Sequence, residues 1–488
     1  MSRRDAMALV LLTLLGAALR FWRLGALALV GDEAYYWLWS RHLALSYYDH
    51  PAGVAVLVRL STMLGGSSEA GIRWLNATLG VAAIPLAWQL TRQRVSTRAA
   101  WATAVLMAVS KPFVLISRHV YPDALLLALE LLALLLVDRV LTSKGRPALG
   151  LALGVGVSVG MALATKYTAY LFAGVVLAFV LLAQPRLARE PRFWLATGVA
   201  ALGLAPTLLW NAQRDWASFR WQAQHLGQGV LWNVGPLSRA GNLLDYTGWP
   251  VVLLAGCGAL FWREPRARLL TLIGVALSLA VLLSPANAPR SLVVALPLLL
   301  GPGVEGLWRL LQHRGVARPA LIGSAGALIA LAAMAGGLSA ATIHRHLEAG
   351  PWPWSGAAEQ RMAFDAQGLR ALRTSLLDNG DTIVALDYSL AGQLSYYLGQ
   401  PVATAWPQYA EWGLASLEPA WVVSAGYIDR DTVLRALKAV YRTVLPPRRI
   451  VVDGRGLDVW RVDKLTSTPQ QALARLDLLR LVDEGGAP

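Results

Sequence analysis

Apolar residues in this chain occur in long runs that short polar segments separate. The runs are roughly 17 to 22 residues long, the length of helix that crosses the ~30 Å hydrocarbon layer of a bilayer. They predict eleven membrane-spanning helices, at about residues 6–24, 69–91, 99–117, 121–141, 147–165, 168–184, 192–211, 246–263, 268–284, 288–311 and 318–340. The first run ends without a small-x-small cleavage site, so we interpret it as an uncleaved helix.

The basic residues between the runs predict the orientation of the helices. If the N-terminus is cytoplasmic, five loops fall inside, and each carries three Lys or Arg: 91–98, 138–146, 184–192, 262–268 and 308–318. Outer loops of comparable length carry one or two. This asymmetry agrees with the positive-inside rule, so a cytoplasmic N-terminus is predicted. An odd number of spans then leaves the residues after about 341 on the outer side.

The pattern changes after residue 341 to short runs that are typical of strands. Five strands are predicted, with helical stretches between them, at 381–388, 419–427, 442–445, 449–454 and 457–462. We therefore predict a transmembrane module over 1–341, with interfacial helices in its first outer loop (25–68), and a periplasmic α/β domain over 342–488. The Pro-, Gly- and Trp-rich segment 349–360 is a predicted hinge.

Composition supports a polytopic membrane protein. Of the 488 residues, 56% are hydrophobic and only 15% are charged. The formal charge of +15 resides in short loops, where retention of Lys and Arg in the cytoplasm explains it better than nucleic-acid binding does. A single cysteine, Cys257, excludes an intramolecular disulfide and a CxxC site.

Four ionisable residues lie just beyond the first apolar run: Asp32, Glu33, Asp49 and His50. Charges beside hydrocarbon are unfavourable by several kcal/mol, so a cluster at the bilayer edge indicates a function. Tyrosines and tryptophans lie among them, a mixture expected at a lipid–water interface that also binds a polar ligand.

The other outer loops add polar residues to the same face of the membrane. They are Arg118, His119, Tyr121 and Asp123; Lys166 and Tyr167; Asn211, Arg214, Asp215, Trp216 and Arg220; and Asn287 and Arg290. Together they predict a cavity at the outer leaflet that suits a ligand with a lipid tail and an anionic head.

The residue types indicate sugar transfer from a lipid phosphate. Lys166, Arg290 and either Arg118 or Arg220 are candidates to bind the phosphate and to stabilise the charge that builds on it. Asp32 or Asp49 is a candidate to deprotonate an acceptor hydroxyl. A divalent cation, Mg or Mn, held by Asp32, Asp49 and His50 stays open, because their spacing matches no fixed metal motif.

Several motifs resemble one family in the same order along the chain: DEAYYWLWSRHLALSYYDHPAG (32–53), RHVYPDALLLAL (118–129), ATKYTAYLF (164–172), LWNAQRDWASFRWQAQH (209–225) and DYSLAGQLSYYLGQP (387–401). The chain resembles membrane glycosyltransferases of the C-type fold, in the branch of the lipid A aminoarabinose transferase, which is related to protein O-mannosyltransferases. The resemblance implies an inverting glycosyltransferase of the bacterial inner membrane. Such enzymes take a sugar from a polyprenyl phosphate, undecaprenyl phosphate in bacteria, and transfer it to a periplasmic acceptor.

The resemblance also implies roles for residues. Asp32 matches the first-loop acidic residue that is catalytic or positions the acceptor, and we group Glu33 and Asp49 with it. His50, Lys166, Arg290 and Arg118 are assigned to the donor phosphate, and Tyr48, Tyr121, Asp123, Tyr167 and Arg220 to substrate binding. Asp49 and His50 stand where the aminoarabinose transferases have a Glu-Lys pair, and Ala52 replaces their second proline. The sugar and the acceptor, whether lipid A, another envelope glycolipid or another glycan, therefore stay open.

Other interpretations remain. Asp32 and Glu33 can cap a helix, Asp49 and His50 can form a turn, Asp123 can begin a span, and Lys166 can snorkel to the interface. For the whole chain, the alternatives are a lipid-linked sugar transporter, a protein O-glycosyltransferase and a non-catalytic assembly protein. A transporter is disfavoured because no internal repeat is visible and the ionisable groups sit at the outer edge.

Overall fold

The computed structural model describes residues 2–143, 146–228, 241, 243–244, 246–283, 289–313, 368–370, 372, 382–413, 417, 420–425, 429–452 and 455–476. The chain divides into two compact units. The first consists of Met1–Leu24, Leu45–Gly66 and Ala70–Ser355, and the second of Gly25–Ala44, Ser67–Glu69 and Gly356–Pro488. The predicted span at 318–340, the predicted hinge at 349–360 and Asn287 lie outside the described residues.

Helix α2 (Gly31–Arg41) belongs to the second unit. The first unit is helical. Its helices are α1 (Arg3–Phe21), α3 (Gly53–Gly65), α4 (Glu69–Arg94), α5 (Thr97–Val109), α6 (Lys111–Arg118), α7 (Pro122–Thr142), α8 (Leu149–Leu163), α9 (Thr168–Ala183), α10 (Pro191–Leu202), α11 (Ala205–Ala212), α12 (Ala217–Gln228), Trp249–Ala259, Arg268–Leu283, Pro289–Val293 and Leu296–His313. Short 3-10 helices follow α9 at Pro185–Arg189 and follow Trp249–Ala259 at Leu260–Arg263.

Each predicted span before residue 311 coincides with one helix or with two consecutive segments. Among the described residues, α4 alone is long and apolar enough to cross a membrane by itself. Up to three spans result if α5 with α6, bent by 52°, and α10 with α11, bent by 43°, each count as one. Prolines explain where these helices restart, because Pro112 and Pro206 occupy the first turns of α6 and α11, where no intrahelical N–H bond is needed. The count of eleven spans stays a prediction.

Small residues let two helices of the first unit pack at close range. A Cβ atom at Gly258 would lie 2.0 Å from the Leu299 carbonyl oxygen, and one at Gly303 would lie 1.9 Å from the Leu254 carbonyl oxygen. Only glycine fits at these two positions. Such contacts are typical of helix pairs in membranes, where close backbone approach supplies the packing energy.

The second unit contains a five-stranded sheet. Its strands are β1 (Thr382–Ala385), β2 (Ala420–Ala425), β3 (Tyr441–Val444), β4 (Arg448–Val452) and β5 (Arg455–Leu465). Strand β1 pairs in parallel with β2, β2 pairs antiparallel with β5, and β3 and β4 pair antiparallel with opposite ends of β5. Around it are the helices Tyr388–Leu398, Pro407–Ala410, Arg430–Val440 and Pro469–Arg475. Each strand lies at its predicted place, because β-branched and aromatic residues bury one face of the sheet in a core with Leu437.

Helix α2 packs on the helix Tyr388–Leu398. This packing differs from the prediction, which assigned the segment of α2 to the transmembrane module. A Cβ atom at Gly392 would lie 2.9 Å from the Tyr35 nitrogen, so the two backbones are in close contact. Gln393 Nε2 donates to the Leu29 carbonyl at 2.8 Å, and the Leu29 N–H donates to the Tyr397 hydroxyl at 2.8 Å. Part of the segment that was predicted as the first outer loop, Gly25–Ala44, therefore belongs with the C-terminal residues.

Candidate functional site

A buried ion pair lies in the first unit, where the turn between α8 and α9 meets the start of α7. Lys166 Nζ is 2.7 Å from Asp123 Oδ1 and donates to Ser291 Oγ at 2.9 Å. Lys166 is 9% exposed and Asp123 is 2% exposed. An ammonium group has three N–H donors. Two are used among the described residues, which leaves one for an anionic ligand.

Arg290 adds a second positive charge beside this pair. Its guanidinium carbon lies 4.2 Å from the centroid of the Tyr121 ring, a cation–π contact. Tyr121 is buried directly before α7 and holds this contact at the same helix end as Asp123. Arg290 and His50 are also close enough to Asp123 to interact with its charge. Asp123 is thus within electrostatic range of Lys166, Arg290 and His50, and Glu130 is within range of Asp123 and Lys166. Lys166 and Arg290 are the residue types that suit a phosphate.

The segment that carries Asp49 and His50 packs on the turn that carries Lys166. The Gly53 N–H donates to the Ala164 carbonyl at 2.8 Å, and a Cβ atom at Gly53 would lie 2.6 Å from Thr165 Oγ1. The segment itself is a tight turn, since the Tyr47 N–H donates to the His50 carbonyl at 3.1 Å. The predicted turn before Pro51 is therefore present, and it brings Tyr48, Asp49 and His50 to the Lys166 side of the unit.

Helix α12 fixes this turn from the other side. Ser218 Oγ donates to the Tyr48 carbonyl at 2.8 Å and is also hydrogen-bonded to the Tyr167 hydroxyl. Gln222 Nε2 donates to the Asp49 carbonyl at 2.8 Å. Burial is the main cause that raises the pKa of Tyr167 in the turn between α8 and α9, and the Asp49 charge adds to it. Tyr167 is therefore a neutral hydrogen-bonding group at physiological pH.

Two predicted phosphate ligands have other surroundings. Arg118 is 5% exposed, and its Nη1 donates to the carbonyls of Leu19 at 3.1 Å, Arg20 at 2.8 Å and Trp22 at 2.9 Å. These contacts stabilise the C-terminal end of α1. The Nη1 atom of Arg118 is therefore engaged by the backbone and not by the Lys166 cluster. Arg220 is exposed on α12. Its assignment to the substrate stays a prediction.

Asp32 and Glu33 lie in the second unit, in the first turn of α2. Asp32 is half-buried, and its Oδ1 accepts a hydrogen bond from the Tyr388 hydroxyl at 3.2 Å. Glu33 is fully buried, and its Oε2 accepts from the Val30 N–H at 3.0 Å. Glu33 thus caps the helix, the alternative that the sequence left open. A catalytic role for either residue stays a prediction.

Among the described residues, no three His, Cys, Asp or Glu side chains are grouped closely enough to hold a metal ion. A divalent cation held by Asp32, Asp49 and His50 stays a prediction.

Sequence reasoning missed three polar residues of the first unit. Ser291 and Ser218 carry no signal of their own, because serine is common in loops and acts here through neighbours distant in the chain. Glu130 is 2% exposed and lies seven positions after Asp123 on α7. Its acidic side chain within an apolar run was a signal that could have been used.

Known membrane glycosyltransferases are similar to parts of this chain. Residues 49–210 match the dolichyl-phosphate-mannose-protein mannosyltransferase family, and these residues contain the Asp49–His50 turn, Asp123, Lys166 and Tyr167. The chain is 33% identical over 187 residues to the lipid A galacturonosyltransferase RgtD of Rhizobium johnstonii, a stretch that covers 38% of each protein. The matched stretch is therefore less than half of this relative.

Solved structures of similar fold cover nearly the whole chain. ArnT from Cupriavidus metallidurans in the apo state matches 94% of this chain and 98% of its own, with a TM-score of 0.61 and 16% identity. The same protein bound to undecaprenyl phosphate gives a TM-score of 0.61 at 15% identity, over 93% of this chain and 98% of that one. The oligosaccharyltransferase AglB from Archaeoglobus fulgidus matches 89% of this chain and 70% of its own, with a TM-score of 0.53 and 14% identity. These similarities confirm the resemblance to C-type membrane glycosyltransferases, and the chain has their fold.

Proposed function

We propose that this protein is an inverting membrane glycosyltransferase, which transfers a sugar from a polyprenyl phosphate to an acceptor at the outer face of the membrane. The observation that carries the proposal is the buried Lys166, whose ammonium group is held by Asp123 and Ser291 and lies in one cluster with Arg290. A buried lysine and an arginine nearby are groups that bind a lipid phosphate.

In the proposed reaction, the bond between the anomeric carbon and the phosphate oxygen breaks, and its electron pair stays on the phosphate. The donor phosphodiester carries one negative charge, and the released polyprenyl phosphate gains a second. Lys166 and Arg290, together with His50 when it is protonated, stabilise the charge that develops on the leaving oxygen. Asp123 keeps Lys166 in position and limits the repulsion between the cations. The apolar helices around the cluster lower the dielectric, which strengthens each of these interactions.

The acceptor hydroxyl attacks the anomeric carbon from the side opposite to the phosphate and loses its proton to a carboxylate. We propose Asp32 for this role, because it matches the acidic first-loop residue of the resembled family. Its half-buried side chain accepts a hydrogen bond from the Tyr388 hydroxyl, which fixes the orientation of the carboxylate. Asp49 is the second candidate, since it lies close enough to Tyr167 to act on it electrostatically.

The relatives support a finer version of the proposal. The bound undecaprenyl phosphate of the ArnT structure supports that lipid as the donor carrier. The similarity to the lipid A galacturonosyltransferase of Rhizobium johnstonii supports lipid A as the acceptor. The positive-inside pattern supports an inner-membrane protein with a cytoplasmic N-terminus and the second unit on the periplasmic side.

A turnover assay tests the proposal. The purified full-length chain in liposomes is given undecaprenyl-phosphate-linked galacturonic acid and lipid A, and the products are analysed by mass spectrometry. We expect lipid A with one added hexuronate and free undecaprenyl phosphate. Labelled donor that crosses the bilayer without a new glycosidic bond would support the transporter alternative. A glycosylated peptide with unmodified lipid A would support the protein O-glycosyltransferase alternative.

A further inference from the structure

The second unit contains a pocket of about 720 Å³ that the proposed reaction does not use. All the residues that line it belong to this unit. The end of α2 forms one side, and the helix Tyr388–Leu398 with the residues after it forms the other. Its volume falls in the range of about 300–1,000 Å³ that is typical of small-ligand sites.

Aromatic rings form much of the wall. They are Trp37, His42, Tyr396, Tyr397, Tyr409 and Trp412. The His42 and Trp412 rings are stacked, with centroids 4.9 Å apart and an interplanar angle of 17°. Trp37 and Tyr396 meet edge to face at 5.0 Å, and Tyr409 and Trp412 meet at 4.9 Å. Tyr396 also meets Tyr397 edge to face at 4.8 Å. Each ring of the wall is thus held by another ring, which fixes the apolar surface that the wall presents.

The charged groups that line the pocket are basic. Arg41 and Arg370 are among the lining residues, all of which are described, and none of these is Asp or Glu. Arg370 Nη2 donates to Glu69 Oε1 at 3.0 Å, and its guanidinium carbon lies 5.4 Å from the centroid of the Tyr397 ring. Arg41 is exposed in the last turn of α2. Gln400 and Ser67 add neutral hydrogen-bonding groups.

We propose that this pocket binds the saccharide part of an anionic glycan, a sugar chain that carries carboxylate or phosphate groups. The C–H face of a pyranose packs on flat aromatic rings, and sugar hydroxyls pair with amide, hydroxyl and phenol groups such as those of Gln400, Ser67 and Tyr396. Arg41 binds the acidic group, because a guanidinium matches a carboxylate or phosphate with two parallel hydrogen bonds.

The pocket and Asp32 are joined by aromatic contacts within the second unit. The Tyr388 ring, whose hydroxyl donates to Asp32, lies 4.9 Å from the Tyr35 ring, and Tyr35 stacks at 5.8 Å on Tyr409 of the pocket wall. Asp32 and Arg41 are also nine positions apart on one helix, about 14 Å along its axis. An oligosaccharide of a few rings spans such a distance. This inference rests on the proposed function only where it makes the glycan the acceptor, because the pocket can bind the glycan without any sugar transfer.

The test is a binding measurement on the full-length chain in nanodiscs, without donor. The probe is trigalacturonate, and the neutral trisaccharide maltotriose is the matched control; binding is followed by saturation-transfer NMR and titration. We expect trigalacturonate to bind more tightly than maltotriose. We expect Arg41→Gln, which removes a charge-assisted hydrogen bond, and Trp412→Ala, which removes a stacking surface, each to weaken the binding of trigalacturonate about tenfold or more.

Control variants distinguish binding in the pocket from binding elsewhere on the second unit. Arg442 is exposed on β3 and does not line the pocket, so Arg442→Gln should bind like the unchanged protein. Trp412→Phe keeps an aromatic face and should restore most of the binding if Trp412→Ala disturbs folding. Equal affinity for the two trisaccharides, or affinity for trigalacturonate that Arg41→Gln and Trp412→Ala both leave unchanged, would overturn the proposal. Because no donor is present, a negative result here leaves the proposed transfer reaction untouched.

Discussion

The ammonium group of Lys166 and the carboxylate of Asp123 form a buried ion pair, with 2.7 Å between Nζ and Oδ1. The two residues are far apart in the chain and meet where α7 begins and the α8–α9 turn ends. Removing water from two charges is unfavourable, so such a pair adds little stability by itself. A buried cation held in one position is, however, what a reaction that releases phosphate requires.

Replacing Lys166 should reduce transfer strongly. Lys166→Met removes the charge but keeps an unbranched apolar stem, and we expect kcat to fall about 10²- to 10³-fold, the loss typical of one donor to a developing negative charge. Lys166→Arg should recover part of this activity. Initial rates with an undecaprenyl-phosphate sugar measure both. Equal rates for the unchanged protein and Lys166→Met would contradict the proposed role.

Asp32→Asn should remove the group that accepts the proton while keeping its shape and the hydrogen bond from Tyr388. We expect a fall in kcat of about 10²-fold or more without a change in melting temperature. Asp431→Asn, at an exposed acidic position of the same unit, is the control. Full activity of Asp32→Asn together with an inactive Asp49→Asn would move the base to Asp49.

Arg118→Met should destabilise the fold instead of impairing donor binding. Three carbonyl groups at the end of α1 lose their charged donor, and we expect a loss of about 2–5 kcal/mol in unfolding free energy. Arg139→Met, at an exposed position of α7, should have almost no effect on the same thermal melt. Unchanged stability with a raised KM for the donor would restore the phosphate-binding role that the sequence suggested.

Glu130→Gln should raise the melting temperature. Glu130 is fully buried in α7, and among the described residues its Oε2 has no hydrogen-bond partner. A neutral amide of the same shape avoids burying an acid there. Asp123→Asn is the contrasting variant, because it leaves Lys166 buried without its carboxylate, and it should lower stability by about 3–5 kcal/mol. A melting temperature that Glu130→Gln lowers would indicate that the acid has a role in the folded protein.

The helix Arg430–Val440 should make the second unit sensitive to acid. Asp429 caps this helix, and hydrogen bonds from the Thr432 N–H and hydroxyl lower the pKa of its carboxyl. Because the folded pKa lies below the ordinary value of about 3.9, the cap stabilises the fold fully above about pH 5 and is lost as the pH falls through the folded pKa. Asp429→Ala should therefore have a lower melting temperature than the unchanged protein at pH 7. This difference in melting temperature should shrink near about pH 3. A difference in melting temperature between Asp429→Ala and the unchanged protein that stays constant with pH would contradict this prediction.

The elements of the fold were predictable because their signals are local. The apolar runs are as long as a bilayer is thick, so helices such as α4 and α7 coincide with their predicted spans. The strands follow from β-branched and aromatic residues, as in β5. The breaks between α5 and α6 and between α10 and α11 carried a local signal too, since a proline lies in the first turn after each break.

The partners of the polar residues were not predictable, because they depend on tertiary contacts. Arg118 and Lys166 are both cations at the ends of apolar runs. One is bound to carbonyls at the end of α1, and the other to a carboxylate and a serine. Likewise, nothing local to α2 reveals that Tyr35 packs against Gly392, which is distant in the chain. Hydropathy predicts at which surface of the membrane a residue lies, but it does not predict which other residue it contacts.

Native mass spectrometry of the full-length chain with undecaprenyl phosphate tests the central claim most directly. We predict one tightly held undecaprenyl phosphate per chain in the unchanged protein. Occupancy should fall about tenfold or more in Lys166→Met, because one charge-assisted contact to the phosphate is lost. Lys438→Met, at an exposed position of the second unit, should bind like the unchanged protein. Equal occupancy in Lys166→Met and Lys438→Met would contradict the assignment of the donor phosphate to Lys166.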